Sequence, residues 1–502
     1  MFTTPLDVLL FFTVTVPVVG FIEHKLGVKW LKEAYALAGF SASLYLLLNV
    51  YRRIVDEGVL VVALYGSPPP LGACLEVDAF SLFMALIAVS LGLLSTVYSF
   101  RYMEKDTGLT LYYTLLLGMT AGIVGVSFAG DLLTLYVFWE VMCVTSYALV
   151  AFRREHWEPV EAGFKYLIMS SAGSATILLA MSLLYGMTGT LNLAYLAASL
   201  HDAGGDRWLL LPLTLTIVGF GVKGAVVPLH TWAPDTYSAA PDPVSAMLSG
   251  ATTKMGVYGL LRLLFLVFSP IQAEWSLIVA ILSVATMTLG NFLALLQTDI
   301  KRLMAYSSIA QIGYILIGLA VGNEDGLTGA LFHIFNHSFM KGLAFLCAGA
   351  LIYEVGSREL RDLTGIGRRM HLSAGALWVS FLSLIGFPPL SGFVSKFILF
   401  VAAIEANMAW LAIAGIANTI LSAAYYLKVL HVITRSEVSE RADKAREAPI
   451  SMLIPIATMA AVLLAFGIWP EFMVELSRRA ALCLLAQGRM EYVEAVVGAW
   501  GE

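Results

Sequence analysis

Two lysines stand inside apolar sequence on either side of a proline-rich crossing. Lys223 closes Gly219-Phe-Gly-Val-Lys223, Lys254 lies in Thr253-Lys-Met-Gly-Val-Tyr258, and Pro228-Leu-His-Thr-Trp-Ala-Pro-Asp235 runs between them. A charged side chain near the centre of a bilayer costs at least about 2.5–3.5 kcal/mol on insertion scales, so it requires a partner, a water-filled cavity or a role in moving charge. Lys396 is a third such residue. His333, His337 and Lys341 follow at i, i+4 and i+8, which stripes one face of a helix over ~12 Å. Histidine titrates near neutral pH, so the stripe reads as a proton relay. Interhelical hydrogen bonding is one alternative, and a two-histidine metal site, weak for want of a third ligand, is another. Glu140, in Leu135-Tyr-Val-Phe-Trp-Glu140, is the acid nearest the middle of any apolar run, and Lys223 is its expected ion-pair partner. Lys165, close to Arg153, Arg154, Glu158 and Glu161, reads equally as a path member or as a snorkelling surface cation. His230 reads as a gate or as a cap of the broken helix, while Lys428 and Arg262, nearer helix ends, read as anchors.

The elements that must position these residues are membrane spans. The chain has 502 residues, 59% apolar and 13% charged, with a mean hydropathy of +0.82, well outside the soluble range. A span takes ~20 apolar residues, and the windows predict an all-α polytopic membrane protein of about fourteen helices. The expected spans are 6–23, 31–50, 79–99, 109–129, 131–151, 162–185, 209–228, 243–267, 274–297, 302–322, 328–353, 372–404, 408–432 and 450–469. The first has no basic region before it and no cleavage signal after it, and so reads as a retained span. An alternating segment broken by Ser67-Pro-Pro-Pro70 predicts a surface hairpin, and residues 471–502 predict an interfacial helix. Four scattered cysteines suggest neither a disulfide framework nor an iron–sulfur site, and read as packing residues. No phosphate-binding loop, HExxH motif, Ser-His-Asp constellation or basic nucleic-acid patch stands out, so no cofactor, metal, nucleic-acid partner or catalysis by this chain alone is expected.

Gly219-Phe-x-x-Lys223 recurs as Gly392-Phe-x-x-Lys396, in expected spans seven and twelve, each interrupted by Gly and Pro. Opposite parity makes this an inverted repeat, and broken spans at matching positions point to an ion path. The expected division is N-terminal helices and hairpin over 1–108, repeats over 109–270 and 271–433, and a C-terminal helix and tail over 434–502. At a shift of 173 residues, Glu140 would face Gly313, so the second half lacks a matching acid. Loops after odd-numbered spans hold seventeen of the 30 Lys and Arg, those after even-numbered spans six, which places both termini outside a plasma membrane.

Pro228-Leu-His-Thr-Trp-Ala-Pro-Asp235, Ala240-Pro-Asp-Pro-Val-Ser-Ala246, Thr253-Lys-Met-Gly-Val-Tyr258, His333-Ile-Phe-Asn-His-Ser-Phe-Met-Lys341 and Gly386-Phe-Pro-Pro-Leu-Ser-Gly-Phe-Val-Ser-Lys396 resemble the antiporter-like subunits of respiratory complex I, Mrp-type cation/proton antiporters and membrane-bound hydrogenases. Lysine at 254 and the ending near 502 resemble the D-type Mrp subunit and its hydrogenase counterparts. The resemblance covers roughly residues 75–435. It implies inverted five-helix repeats; Glu140 and Lys223 in a first half-channel; Lys254 with His333 or His337 in a connection; and Lys396 in a second half-channel. It also implies other membrane subunits as partners and protons, with sodium open, as cargo. A stand-alone solute transporter would present polar recognition residues around a midplane cavity, and a scaffold would use the same polar residues only as helix glue.

Overall fold

The computed structural model describes residues 4–64, 72–202 and 207–500. The order is α1 (Pro5–Leu26), α2 (Leu31–Glu57), β1 (Leu60–Ala63), β2 (Cys74–Val77), α3 (Ala79–Tyr102), α4 (Leu109–Phe128), α5 (Leu132–Val150), α6 (Trp157–Thr188), α7 (Leu193–Asp202), α8 (Leu210–Lys223), α9 (Ala233–Ala239), α10 (Asp242–Met247), α11 (Thr253–Leu266), α12 (Gln272–Leu295), α13 (Ile300–Val321), α14 (Glu324–Val355), α15 (His371–Ile385), α16 (Ser391–Glu405), α17 (Ala409–Thr434), α18 (Glu440–Asp443), α19 (Ile450–Ile468), α20 (Glu471–Leu482) and α21 (Ala486–Trp500). Among the described residues, 11 helices are long and apolar enough to cross a membrane. The hairpin pairs antiparallel from Leu60 opposite Val77 to Ala63 opposite Cys74, and the Ser67–Pro70 turn lies outside the described residues.

The expected spans 209–228, 243–267 and 372–404 are built from pieces. Helix α8 stops at Lys223, and an irregular segment containing Pro228 leads to α9. Helices α10 and α11 are joined by a π-turn over Leu248–Thr252. Helix α15 ends in Gly386, at φ +91°, before Pro388-Pro389 and α16. Proline has no N–H to continue a ladder, so each break leaves carbonyls that need other donors.

Helices α13 and α14 are the most enclosed, whereas α1, α2 and α19 show most of their surface to the outside. Side chains of α14 from Gly326 to Leu351 are buried on every face, which is how its histidines and lysine come to lie inside the bundle.

Internal symmetry is visible in detail. Asp131 and Asp299, 168 residues apart, cap α5 and α13 and bridge to Asn192 and Glu359 respectively. Helices α6 and α14 are each 32 residues long. Helix α4 crosses α5 where a Cβ on Gly122 would stand 2.6 Å from Met142 N, and α12 crosses α13 where one on Gly290 would stand 2.7 Å from Ala310 N. These pairs share the 168-residue shift, so the 173 residues between the two lysines do not apply to α5. The position equivalent to Glu140 is Ser308 rather than Gly313; the second half still lacks the acid.

Candidate ion path

Among the described residues, four lysines besides the acid-paired Lys301 are buried in the bundle. Lys254 and Lys341 are wholly buried, Lys223 is 1% exposed and Lys396 3%. None makes an ion pair among the described residues, and each ammonium is instead held by neutral groups.

Lys223 ends α8, and its Nζ donates to the Tyr166 hydroxyl at 2.6 Å and to Cys143 Sγ at 3.2 Å. Tyr166 stacks on Trp232, with ring centroids 4.3 Å apart, and the Trp232 indole donates to the Val222 carbonyl freed by the break (2.8 Å). The expected Glu140–Lys223 ion pair is not formed. Glu140 lies one turn before Cys143 and two before Tyr147 on α5, at the edge of the face that exposes Leu133, Val137 and Val144, and its Oε1 is buried without a partner. Cys143, expected only to pack, touches the lysine.

The π-turn explains the surroundings of Lys254. An extra residue in a turn widens the helix and releases carbonyls, a feature frequent at functional sites. Here the Lys254 ammonium donates to the Ser249 carbonyl, Thr253 Oγ1 to Leu248 O and Ser338 Oγ of α14 to Gly250 O. Ser249 Oγ lies 2.9 Å from Ser308 Oγ, Ser308 donates to Met304 O, and Lys341 Nζ donates to the same carbonyl at 3.0 Å and to Ser307 Oγ. Lys254 and Lys341 thus share one polar seam along α13.

A second seam joins His333 to Lys396. His333 Nε2 is 3.0 Å from the Gln311 amide oxygen, and Nδ1 3.0 Å from Ser395 Oγ. The Gln311 amide nitrogen donates to Leu384 O, which also accepts from Lys396 Nζ at 2.8 Å; Lys396 lies over the Tyr314 ring at 4.3 Å. Lys396 therefore caps the last turn of α15, where the helix dipole favours a cation. At the 168-residue shift Gln311 occupies the position of Cys143, and at the 167 residues between the starts of α6 and α14 His333 occupies that of Tyr166. His337 sits between the seams, one turn from His333 and one from Lys341, with both ring nitrogens buried and unpartnered. Buried polar atoms of this kind are satisfied by ordered water, which would join the seams. Gln311→Leu removes the amide between His333 and Leu384 O and is expected to slow translocation about 10- to 100-fold, read as acidification in vesicles containing the complex.

The remaining candidates lie at the margins. His230 is buried in the α8–α9 break, its Nδ1 unpartnered. Lys165 is exposed and pairs with Glu161 and Asp235, each at 2.9 Å. Two charges depart from the expectation. Lys301, one residue before the expected span 302–322 and so a loop cation by that boundary, is buried 3.0 Å from Asp242. Arg262, taken for an anchor, is buried and bidentate to Asp78, at 2.7 and 2.8 Å. Beside that pair Glu76, in the hairpin outside the spans, is pushed upward in pKa by burial, against donors Tyr492, Cys74 and Asn192. No group of three or more His, Cys, Asp or Glu suited to a metal occurs among the described residues.

The comparisons with known proteins agree with this architecture. Residues 129–422 match the NADH:quinone oxidoreductase/Mrp antiporter membrane family, and residues 70–113 the N-terminal model of complex I chain 5. The chain belongs to this family. F420H2 dehydrogenase subunit N of Methanosarcina mazei is 32% identical over 476 residues, 93% of this chain and 96% of that one. NADH-quinone oxidoreductase subunit N of Desulforamulus reducens is 36% identical, over 86% and 88% of the two chains. Among solved structures, a chain of the Mrp complex from Dietzia superposes with a TM-score of 0.89 at 26% identity, covering 98% of this chain and 99% of that one. A chain of an archaeal membrane-bound sulfane sulfur reductase gives 0.90 at 26% identity with the same coverage. One from Thermus thermophilus complex I gives 0.76 at 27%, over 94% and 99%. The Methanosarcina and Desulforamulus relatives are N subunits; the Mrp likeness enters through the family model and the fold.

Proposed function

We propose that this chain is the proton-translocating subunit of a multisubunit membrane complex. The observation that carries the reading is the set of four buried lysines held by neutral partners, three of them, Lys254, Lys341 and Lys396, along two polar seams. Their charges cannot be accounted for as structural ion pairs, whereas Asp78–Arg262 and Asp242–Lys301 are such pairs.

In this scheme the proton passes along Lys223, Lys254, the His337 and His333 stripe beside Lys341, and Lys396. Glu140, one turn from Cys143 on α5, biases the charge of Lys223. His230 and Lys165 stand at a mouth of the first half-channel. Residues 109–270 and 271–433 form the two half-channels, between the N-terminal part (1–108) and the tail (434–502). The loop charges support a plasma-membrane orientation with both termini outside. Moving one charge against 100 mV takes ~2.3 kcal/mol, so an external driver is required, either a redox partner or a counter-ion. Purification in mild detergent separates the two, because a dehydrogenase or hydrogenase co-purifies only in the redox case.

Lys223→Ala, assembled normally in the complex, is expected to reduce proton translocation in sealed vesicles about 100-fold or more, and Glu140→Gln to reduce it less. Full-rate pumping by the lysine variant would exclude the scheme.

A further inference from the structure

We infer that the end of α17 and the turn before α15 form a binding site for one anionic phospholipid. A cavity of ≈ 500 Å³ opens there, lined by Arg368, His431, Thr434, Arg435, Ser436 and Glu437. Neighbouring cations of this region are matched by acids: Arg369 by Asp443, Arg441 by Asp362, and Arg358 by Asp299 and Glu158. Lys428, Lys444 and Arg446 make no ion pair among the described residues, and do not line the cavity; Arg368 and Arg435 combine the two features. Among the described residues neither makes an ion pair, both are exposed, and both line this cavity. With His431 they face a single carboxylate, Glu437, so the cup is left in need of an anion. Arginine's planar fork suits phosphate oxygens, which it binds two at a time.

The cup is built into the backbone. Gly365 N donates to Val432 O at 3.0 Å, Ser439 N to Thr364 O at 3.1 Å, and a Cβ on Gly365 would meet Glu437 O at 2.4 Å. These contacts clamp the turn that carries Arg368 against the end of α17 that carries Arg435. Thr434 spends its hydroxyl proton on Leu430 O at 2.8 Å, which leaves Ser436 as the hydroxyl donor.

What selects a lipid over free phosphate is the track below the cup. Ile413, Ile416, Ile420, Leu427 and His431 all lie on one face of α17, and all are exposed. From Ile420 to His431 is eleven residues, ~16 Å at helical rise. That is about the thickness of one leaflet's hydrocarbon. An apolar face one leaflet long that ends in an unpaired guanidinium pair matches an acyl chain beneath a phosphodiester headgroup.

The test uses the intact complex, delipidated and returned to nanodiscs. Phosphatidylglycerol is expected to raise its thermal stability relative to phosphatidylcholine, and inorganic phosphate to have no such effect. Native mass spectrometry should find one phosphatidylglycerol retained. Arg368→Ala with Arg435→Ala is expected to lower that retention about thirty-fold, while Arg368→Lys with Arg435→Lys retains most of it. Equal retention in the alanine variant overturns the inference. Equal stabilisation by inorganic phosphate overturns it in favour of a free-anion site, and loss of a protein subunit with lipid unchanged overturns it in favour of a protein contact.

Discussion

Lys254→Gln is expected to lower proton translocation by the intact complex about 100-fold or more. Lys254 has two duties. Its ammonium caps the Ser249 carbonyl released by the π-turn, and the seam through Ser249, Ser308 and Met304 O links it to Lys341. Glutamine keeps an N–H donor for Ser249 O but cannot carry a proton as charge. Lys254→Met removes both, leaving the carbonyl buried and unpaired at a cost of about 1–3 kcal/mol. Translocation should therefore fall equally in the two variants, while thermal stability of the complex falls further in the methionine variant. Wild-type pumping by the glutamine variant would mean that Lys254 is a structural cap and that the seam carries nothing.

How much of this arrangement was legible in the sequence depended on what kind of signal each residue gives. Lysines and histidines in apolar runs announce themselves by their cost, so Lys223, Lys254, Lys341, Lys396 and both histidines of α14 could be read directly. Their partners could not. Tyr166, Ser249, Ser308 and Gln311 are neutral, common within spans, and far from the residue they serve: Tyr166 lies 57 residues before Lys223 and Gln311 lies 22 before His333. The breaks are legible because Pro and Gly cluster there, whereas the π-turn before Lys254 holds a single glycine, Gly250, and no proline. The expected Glu140–Lys223 pair rests on charge alone, and charge does not show that the neutral Tyr166 and Cys143 take the ammonium instead. Likewise the 173-residue shift, read at two lysines, cannot be carried to α5, because the segments between repeat elements differ in length.

Arg262 marks the same limit, and it sets the second large effect. Removing this guanidinium is expected to destabilise the protein by about 3–5 kcal/mol, because it leaves the Asp78 carboxylate buried without its counter-charge. Asp78 caps α3 through Ser81 N at 2.8 Å, and Arg262 also donates to Ser81 Oγ and lies 5.1 Å from the Phe80 ring and 5.4 Å from the Tyr492 ring. The pair thus ties the start of α3, the end of α11 and the C-terminal α21 together. Asp78→Asn should cost less, since asparagine still caps the helix and the aromatic rings still receive the guanidinium. Arg262→Lys should not rescue, because one ammonium cannot span both carboxylate oxygens. The double variant Asp78→Asn, Arg262→Met should recover much of the loss, because no unpaired charge then remains. Thermal dissociation of the purified complex, with proteolysis of residues 486–500 as a local readout, measures each corner of the cycle. Additive losses in the double variant would show that the two side chains act separately, and α21 would then be held by its own packing rather than by the buried pair.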